Sequence, residues 1–174
     1  MTRLFFSAVL YASLALVGFT TNSSRAAIQQ RSKPKQILFV CTGNFYRSRF
    51  AEALFNDKAS QANASWKAIS RGLALVSSQR GISPFALHEL KHRGVPAELC
   101  KGKPRAVTQK DLEKSDYIVL MNEKEHRPMF EKQFPKFDEN KIHYWHVPDG
   151  SGSCAQACQL MSKNIDQLLQ TLPH

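Results

Sequence analysis

Two of the candidate strands, Ile37-Leu38-Phe39-Val40 and Ile118-Val119-Leu120-Met121, are continuous apolar runs, and amphipathic segments lie between them. Strands buried on both faces read this way, because neither side of the pleat meets water. The pattern predicts strands at 36–40, 66–70, 117–121 and 141–146. Between them lie helices with readable starts. One runs from Ser48 to about Lys58, with Phe50, Ala51, Leu54 and Phe55 on one face. A second opens at Ser83-Pro84, an N-cap followed by proline at the first helical position, and Gly94 closes it. Thr108 with Asp111, and Asn122 with Glu125, have the spacing of capping boxes. The last helix, near 155–172, sets Met161, Ile165, Leu168 and Leu172 on one stripe. Strands alternating with helices predict a three-layer α/β domain, a small four-stranded parallel sheet with crossover helices on both faces.

The first residues break this pattern. After Met1-Thr2-Arg3, positions 4–19 carry no charge, and Ser24 and Ala26 provide small residues before Ala27. A positive start, an apolar stretch and small residues at the end are the three parts of a signal peptide. The expected arrangement is therefore a signal peptide at 1–26 cut after Ala26, a polar linker at 27–35 and one domain at 36–174. That arrangement implies export, to a periplasm or beyond the cell, with no membrane attachment once the segment is removed. Retention of the run as an N-terminal anchor is the alternative, although its 16 residues fall short of the ~17–25 that a spanning helix needs.

Composition narrows the class further. Of 174 residues, 43% are apolar and 22% charged, with 24 Lys plus Arg against 14 Asp plus Glu and a net charge of +10. This is the balance of one globular domain, not of a disordered tail or a polytopic membrane protein. The basic residues are scattered rather than gathered into a tail or a basic helix, so the excess predicts attraction to anionic substrates and no nucleic-acid partner.

Candidate chemistry lies at the first strand-to-helix turn, where Ile37 to Val40 run into Cys41-Thr42-Gly43-Asn44-Phe45-Tyr46-Arg47-Ser48. Open α/β sheets bind ligands at that edge. A loop curling from a strand end into a helix start aims successive backbone N–H groups at one point and forms a nest for a phosphate-sized anion. Gly43 and Asn44 are the residues expected to supply its left-handed backbone. The same field lowers a thiol from ~8.5 to roughly 3.5–7.5, which makes Cys41 a thiolate nucleophile. Arg47 offers a planar fork of donors for two phosphoryl oxygens, and Ser48 a hydrogen bond to the sulfur. A bare Cys-x5-Arg more often combines a small buried hydrophobe with a surface charge. Here the strand, the Gly-Asn pair, the serine and the amphipathic helix all favour the chemical reading.

This segment resembles the low-molecular-weight protein-tyrosine phosphatase family, whose signature is an apolar strand, then Val-Cys-x-Gly-Asn-x-x-Arg-Ser, then a helix opening on an Ala-Glu-Ala-like stretch. Residues 40–48 and Ala51-Glu52-Ala53 match it. The likeness continues through Ser70-Arg71-Gly72, residues 116–121 and Val147-Pro148-Asp149, and covers 36–172. It implies a flavodoxin-like strand order 2-1-3-4, hydrolysis of a phosphate monoester on a phosphorylated protein or small molecule through a cysteinyl-phosphate, and no metal or cofactor. Cys41 is then the nucleophile, Arg47 the phosphate clamp and Asp149 the general acid. Thr42, Gly43, Asn44, Phe45, Tyr46 and Ser48 form the substrate loop, which Asn44 and Ser70 steady. The chain departs from the family in having Arg49 where proline is usual, and Gly150-Ser151-Gly152-Ser153 where aromatic residues follow the acid. These departures fall on ring recognition, not on phosphate chemistry, and Phe45 and Tyr46 are candidates for the missing aromatic wall. Taken alone, Pro148-Asp149-Gly150 is also an ordinary turn sequence.

Three rival readings compete. His88-Glu89-Leu90-Lys91-His92 has the zinc-peptidase spacing, with Glu113 as a conceivable third ligand. Gly94 and Pro96 end that helix at once and Lys91 and Arg93 add positive charge, which favours a solvated helix face over a metal site. Cys100, Cys154 and Cys158 permit one disulfide, Cys154 with Cys158 by proximity, or a thiol relay for arsenate reduction. Export would separate such a relay from its reductant. The third rival is a non-catalytic anion-binding module, which needs neither a thiolate nor an acid.

Overall fold

The computed structural model describes residues 33–147, 149 and 154–173. The expected signal segment, Pro148 and residues 150–153 lie outside the described residues. Strands β1 (Lys35–Cys41), β2 (Trp66–Gly72), β3 (Tyr117–Leu120) and β4 (Ile142–Tyr144) alternate with helices α1 (Arg47–Gln61), α2 (Pro84–His92), α3 (Gln109–Lys114), α4 (Glu123–Gln133) and α5 (Cys154–Thr171). The sheet is parallel throughout, in the order β2-β1-β3-β4. Among the described residues, no helix is long and apolar enough to cross a membrane.

β1 is the central strand, and its alternation decides the layers. Ile37, Phe39 and Cys41 enter the core shared with Phe50, Phe55, Leu90, Met161 and Ile165. Leu38 and Val40 face the other way, onto Leu112, Phe130 and Ile118. Helices α1, α2 and α5 thus cover one face, and α3 and α4 the other. Ile37, Leu38, Phe39 and Val40 are all fully buried, and each such side chain contributes about 1.5–3 kcal/mol of transfer free energy. This anchoring holds the end of β1, and with it Cys41, at a fixed height above the sheet.

Several element boundaries have local causes. Ser83 Oγ accepts the Ala86 N–H, and Gly94 at φ +73° closes the stretch after α2. Thr108 and Asp111 form a reciprocal capping box. β1 begins at Lys35, one residue inside the expected linker, because its N–H reaches the Ser65 carbonyl at 2.9 Å. β4 ends at Tyr144, two residues earlier than expected. His146 there adopts φ +54°, while Trp145 and Val147 still donate to Leu120 and Met121 at 3.2 and 2.6 Å. The chain leaves the ladder yet stays over β3, and reaches the sheet edge where Cys41 lies.

Candidate active site

The loop after β1 turns through Asn44, which takes φ +50°. Gly43, expected to share that role, keeps an ordinary backbone. The glycine that the loop does require is on β2. A Cβ on Gly72 would stand 2.7 Å from the Thr42 carbonyl oxygen and 2.9 Å from the Asn44 nitrogen, so β2 must present bare backbone where the loop crosses it. The backbone N–H groups of residues 42–46 donate no hydrogen bond to any described residue. In a loop largely removed from water, uncommitted donors of this kind constitute an oxyanion nest.

A single amide orders the nest. Asn44 is fully buried, and its Oδ1 accepts the Arg105 N–H at 2.8 Å, which fixes Nδ2 as the donor side. Nδ2 then donates to Ser48 Oγ at 3.1 Å and to Ser70 Oγ at 2.8 Å. The Ser48 hydroxyl lies 3.0 Å from Cys41 Sγ, and toward a thiolate, which has no proton to give, it can only donate. Ser70 passes its own proton to Glu52 Oε2 at 2.5 Å. Cys41, Asn44, Ser48 and Ser70, expected together, are therefore one hydrogen-bonded unit, with Glu52 as its unforeseen terminus.

Arg47 opens α1 and is 2% exposed. Its Nη1 donates to Glu125 Oε2 at 2.7 Å and to the Val147 carbonyl at 3.0 Å, and Nη2 donates to Glu125 Oε1 at 2.7 Å. Asp149 Oδ2 lies 3.3 Å from Nη2 on a side chain that is mostly exposed. Nε–H has no acceptor among the described residues, and Asp149 meets Nη2 as an ion pair without a hydrogen bond, so the edge formed by Nε and Nη2 is the one open to an oxyanion, while Glu125 and Val147 hold the rest of the guanidinium. Burial opposes ionisation of Glu125. The hydrogen bonds from Arg47 and Thr42 and the charge of Arg47 outweigh it and hold the carboxyl at about 2.

Glu125 was expected to cap α4 and does not. Asn122 does accept the Glu125 N–H, but its own N–H is taken by His126 Nδ1 at 2.9 Å. That bond places the proton of the neutral imidazole on Nε2, facing Thr42 Oγ1 at 3.2 Å and Glu125 Oε1 at 3.3 Å. Thr42 Oγ1 in turn donates to Glu125 Oε1. Burial lowers the basicity of His126, and the charge of Arg47 lowers it further. Thr42, Glu125, His126 and Arg47 thus form a second network on the far side of the nest.

The two loop aromatics have separate surroundings. Tyr46 packs edge-on against Phe85, with ring centroids 6.0 Å apart, and its hydroxyl donates to the Cys154 carbonyl at 2.8 Å. It ties the start of α1 to the start of α5. Phe45, half-buried, is held by its carbonyl, which accepts the Ser83 N–H at 2.8 Å.

The rival motifs find no support. His88 and His92 have ring centroids 4.4 Å apart with their planes tilted by 58°, but Glu89 is bound by Arg93 at 2.6 Å, and no group of three metal-binding side chains occurs among the described residues. All four cysteines are free thiols, and α5 begins as regular helix at Cys154, so the Cys154 to Cys158 bridge is absent. Burial pushes Cys158 up to about 11 and raises Cys100 as well, the opposite of what a thiol relay needs.

A doubly wound α/β sheet carrying a thiol at the base of an N–H nest, with a buried arginine alongside, defines a class of oxyanion-handling cysteine proteins. Within that class the chain belongs to the low molecular weight phosphotyrosine protein phosphatase family, whose model matches residues 36–174. It is 34% identical over 100 residues to the low molecular weight phosphotyrosine protein phosphatase of Sus scrofa, across 56% of this chain and 61% of that one, so the match spans under two thirds of the relative's length. With the Bacillus subtilis low molecular weight protein-tyrosine-phosphatase YfkJ it shares 27% over 154 residues, 78% of this chain and 94% of the relative. The solved low molecular weight protein tyrosine phosphatase of T. tengcongensis superposes with a TM-score of 0.70 at 26% identity, covering 79% of this chain and 99% of the other.

Proposed function

We propose that the chain hydrolyses phosphate monoesters, phosphotyrosyl groups on proteins among them, in two displacement steps on Cys41. The observation that carries this reading is the nest of free N–H groups at 42–46, with Cys41 Sγ at its base and an open guanidinium edge of Arg47 beside it. The phosphoryl group sits in the nest with two oxygens on Arg47. Cys41 sulfur attacks phosphorus, the ester P–O bond breaks, and Asp149 protonates the departing oxygen. Water then attacks the thiophosphate, Asp149 takes its proton, and the S–P bond breaks to release inorganic phosphate, with the sulfur stabilised by the Ser48 hydroxyl. Thr42, Gly43, Asn44, Phe45 and Tyr46 supply the loop donors, and Phe45 is the ring available to flank an aryl leaving group.

Glu125 orients Arg47 in this scheme, and Ser70 orients Asn44. Turnover of p-nitrophenyl phosphate, unchanged by chelator and accompanied by a trapped phosphocysteine in acid-quenched enzyme, is the expected result. Anion binding without turnover would assign the nest to a binding module instead. We further propose that the chain is exported, on the strength of the charge-free run at 4–19 and the small residues before Ala27. N-terminal sequencing of the exported fraction should begin at or within two residues of Ala27.

A further inference from the structure

On the other side of Asn44 from the thiol lies a cavity of about 190 Å³ that the proposed reaction does not use. Arg49, Arg71, Lys101, Lys103 and Arg105 line it, with Glu52 as the one acid in its wall. Two of the five cations already have partners. Arg71 makes a two-pronged bridge to Asp111 at 2.8 and 3.1 Å. Arg49, 7% exposed, has Nη2 among the carbonyls of Cys100, Lys101 and Gly102 at 3.2, 2.7 and 3.4 Å, with Nη1 3.6 Å from Glu52. Gly102, at φ +107°, allows the chain to wrap the guanidinium so closely.

This wrapping leaves a deficit. The buried Nε of Arg49 has no acceptor among the described residues, and a buried donor left unpaired costs about 1–3 kcal/mol. Glu52, its carboxylate neighbour among the described residues, is also committed to Ser70 at 2.5 Å. Lys101, Lys103 and Arg105 are exposed and make no side-chain ion pair among the described residues. These three cations, set around one small concavity without a carboxylate partner among the described residues, repel one another, and an anion relieves that repulsion at each of them.

We infer that this cavity is a second anion site, specific for a free tetrahedral oxyanion of the phosphate or sulfate class. The volume fits such an ion with a few waters, each water taking ~30 Å³ in the liquid. Ammonium and guanidinium groups supply charge-assisted donors on several sides, as a tetrahedral dianion requires. The two anion sites share a wall, since Asn44 and Ser70 also line this cavity. An ion bound by Lys103 and Arg105 steadies the stretch of chain whose Arg105 N–H orients Asn44, and through Asn44 the Ser48 hydroxyl at the thiol.

The test is calorimetric titration of the full chain with sodium sulfate, chloride being used to hold ionic strength constant and excess phenylphosphonate to fill the Cys41 nest. One sulfate should still bind per chain. The variant Lys101→Ala/Lys103→Ala, confined to exposed side chains, should bind it at least about tenfold more weakly while keeping wild-type turnover of p-nitrophenyl phosphate in buffer free of sulfate and phosphate. Absence of saturable sulfate binding beside the phosphonate, equal binding by variant and wild type, or an equal effect of chloride would each overturn the site. Should the nest refuse phosphonate, the proposed reaction fails, yet the comparison of variant with wild type still decides this site, because the tenfold difference in sulfate affinity between them does not depend on the nest being filled.

Discussion

Arg47 and Glu125 are joined by two parallel hydrogen bonds of 2.7 Å, Nη1 to Oε2 and Nη2 to Oε1, across 78 positions of sequence. The carboxylate occupies one edge of the guanidinium and fixes its plane, so the remaining edge meets an oxyanion without first having to find its orientation. Fixing the fork in advance is worth more than the charge alone, since an arginine free to rotate must be ordered each time substrate binds.

Stability should report this pair through its pH dependence. The folded-state value of Glu125, about 2, lies below its ordinary 4.5, so its contribution is complete above pH 4.5 and is lost as pH falls toward 2. Glu125→Gln should lower unfolding stability at pH 7 by about 1–2 kcal/mol, the lower part of the range for hydrogen bonds to charged groups because the carboxylate is partly exposed. The deficit should shrink steadily between pH 4.5 and 2 in urea titrations. A deficit independent of pH would mean that the pair does not stabilise the fold through ionisation.

Nucleophile and clamp should separate cleanly by substitution. Cys41→Ser should bind phenylphosphonate normally and show no turnover, because the N–H nest and Arg47 are untouched. Arg47→Lys keeps the charge but loses the two-pronged geometry, and should cost about 10²–10³ in turnover, as loss of an oxyanion donor does elsewhere. Near-wild-type kcat in either variant, measured with p-nitrophenyl phosphate, would remove that residue from its role.

The two glycines beside the nest should respond in opposite ways. At Gly72 a methyl group meets backbone, the Thr42 oxygen at 2.7 Å and the Asn44 nitrogen at 2.9 Å, whereas at Gly43 the close neighbour is Gln79 Oε1 at 2.9 Å, the movable end of a side chain. Gly72→Ala should therefore cost ~1–3 kcal/mol by overpacking and distort the loop, with turnover falling further than stability. Gly43→Ala should leave both within a factor of a few. Denaturant midpoints and kcat measured on the same preparations decide it.

The contrast shows what the sequence makes legible. The strands, the helix faces and the thiol loop are local in pattern: an apolar run, a 3.6-residue stripe, a Cys and an Arg six apart. Asn44 in the left-handed region follows from its own chemistry. Gly72 and Glu125 are different, because their roles come from pairings across the fold. Gly72 is bare because a loop from another strand crosses it. Glu125 had a plausible local use as a capping residue. His126, four residues on from Asn122, takes the Asn122 N–H instead, which leaves the Glu125 carboxylate to Arg47 and Thr42. Tyr46 likewise reads as a loop aromatic until α5 arrives to receive its hydroxyl.

Asp149 offers the sharpest discrimination, because its two possible roles give different patterns rather than different amounts. It lies 3.3 Å from Arg47 Nη2 with its side chain mostly exposed. A general acid is worth roughly 10²–10⁴-fold, and less as the leaving group becomes able to depart without a proton. Asp149→Asn should therefore slow alkyl and tyrosyl phosphates by most of that range while slowing a nitrophenyl or more acidic ester far less. The ratio of variant to wild-type rates should rise with leaving-group acidity. A residue that merely shapes the turn predicts a uniform ratio for every ester, with reduced folding stability. Rates measured across a series of phenyl phosphates of graded acidity distinguish the two, and a flat ratio would take Asp149 out of the chemistry.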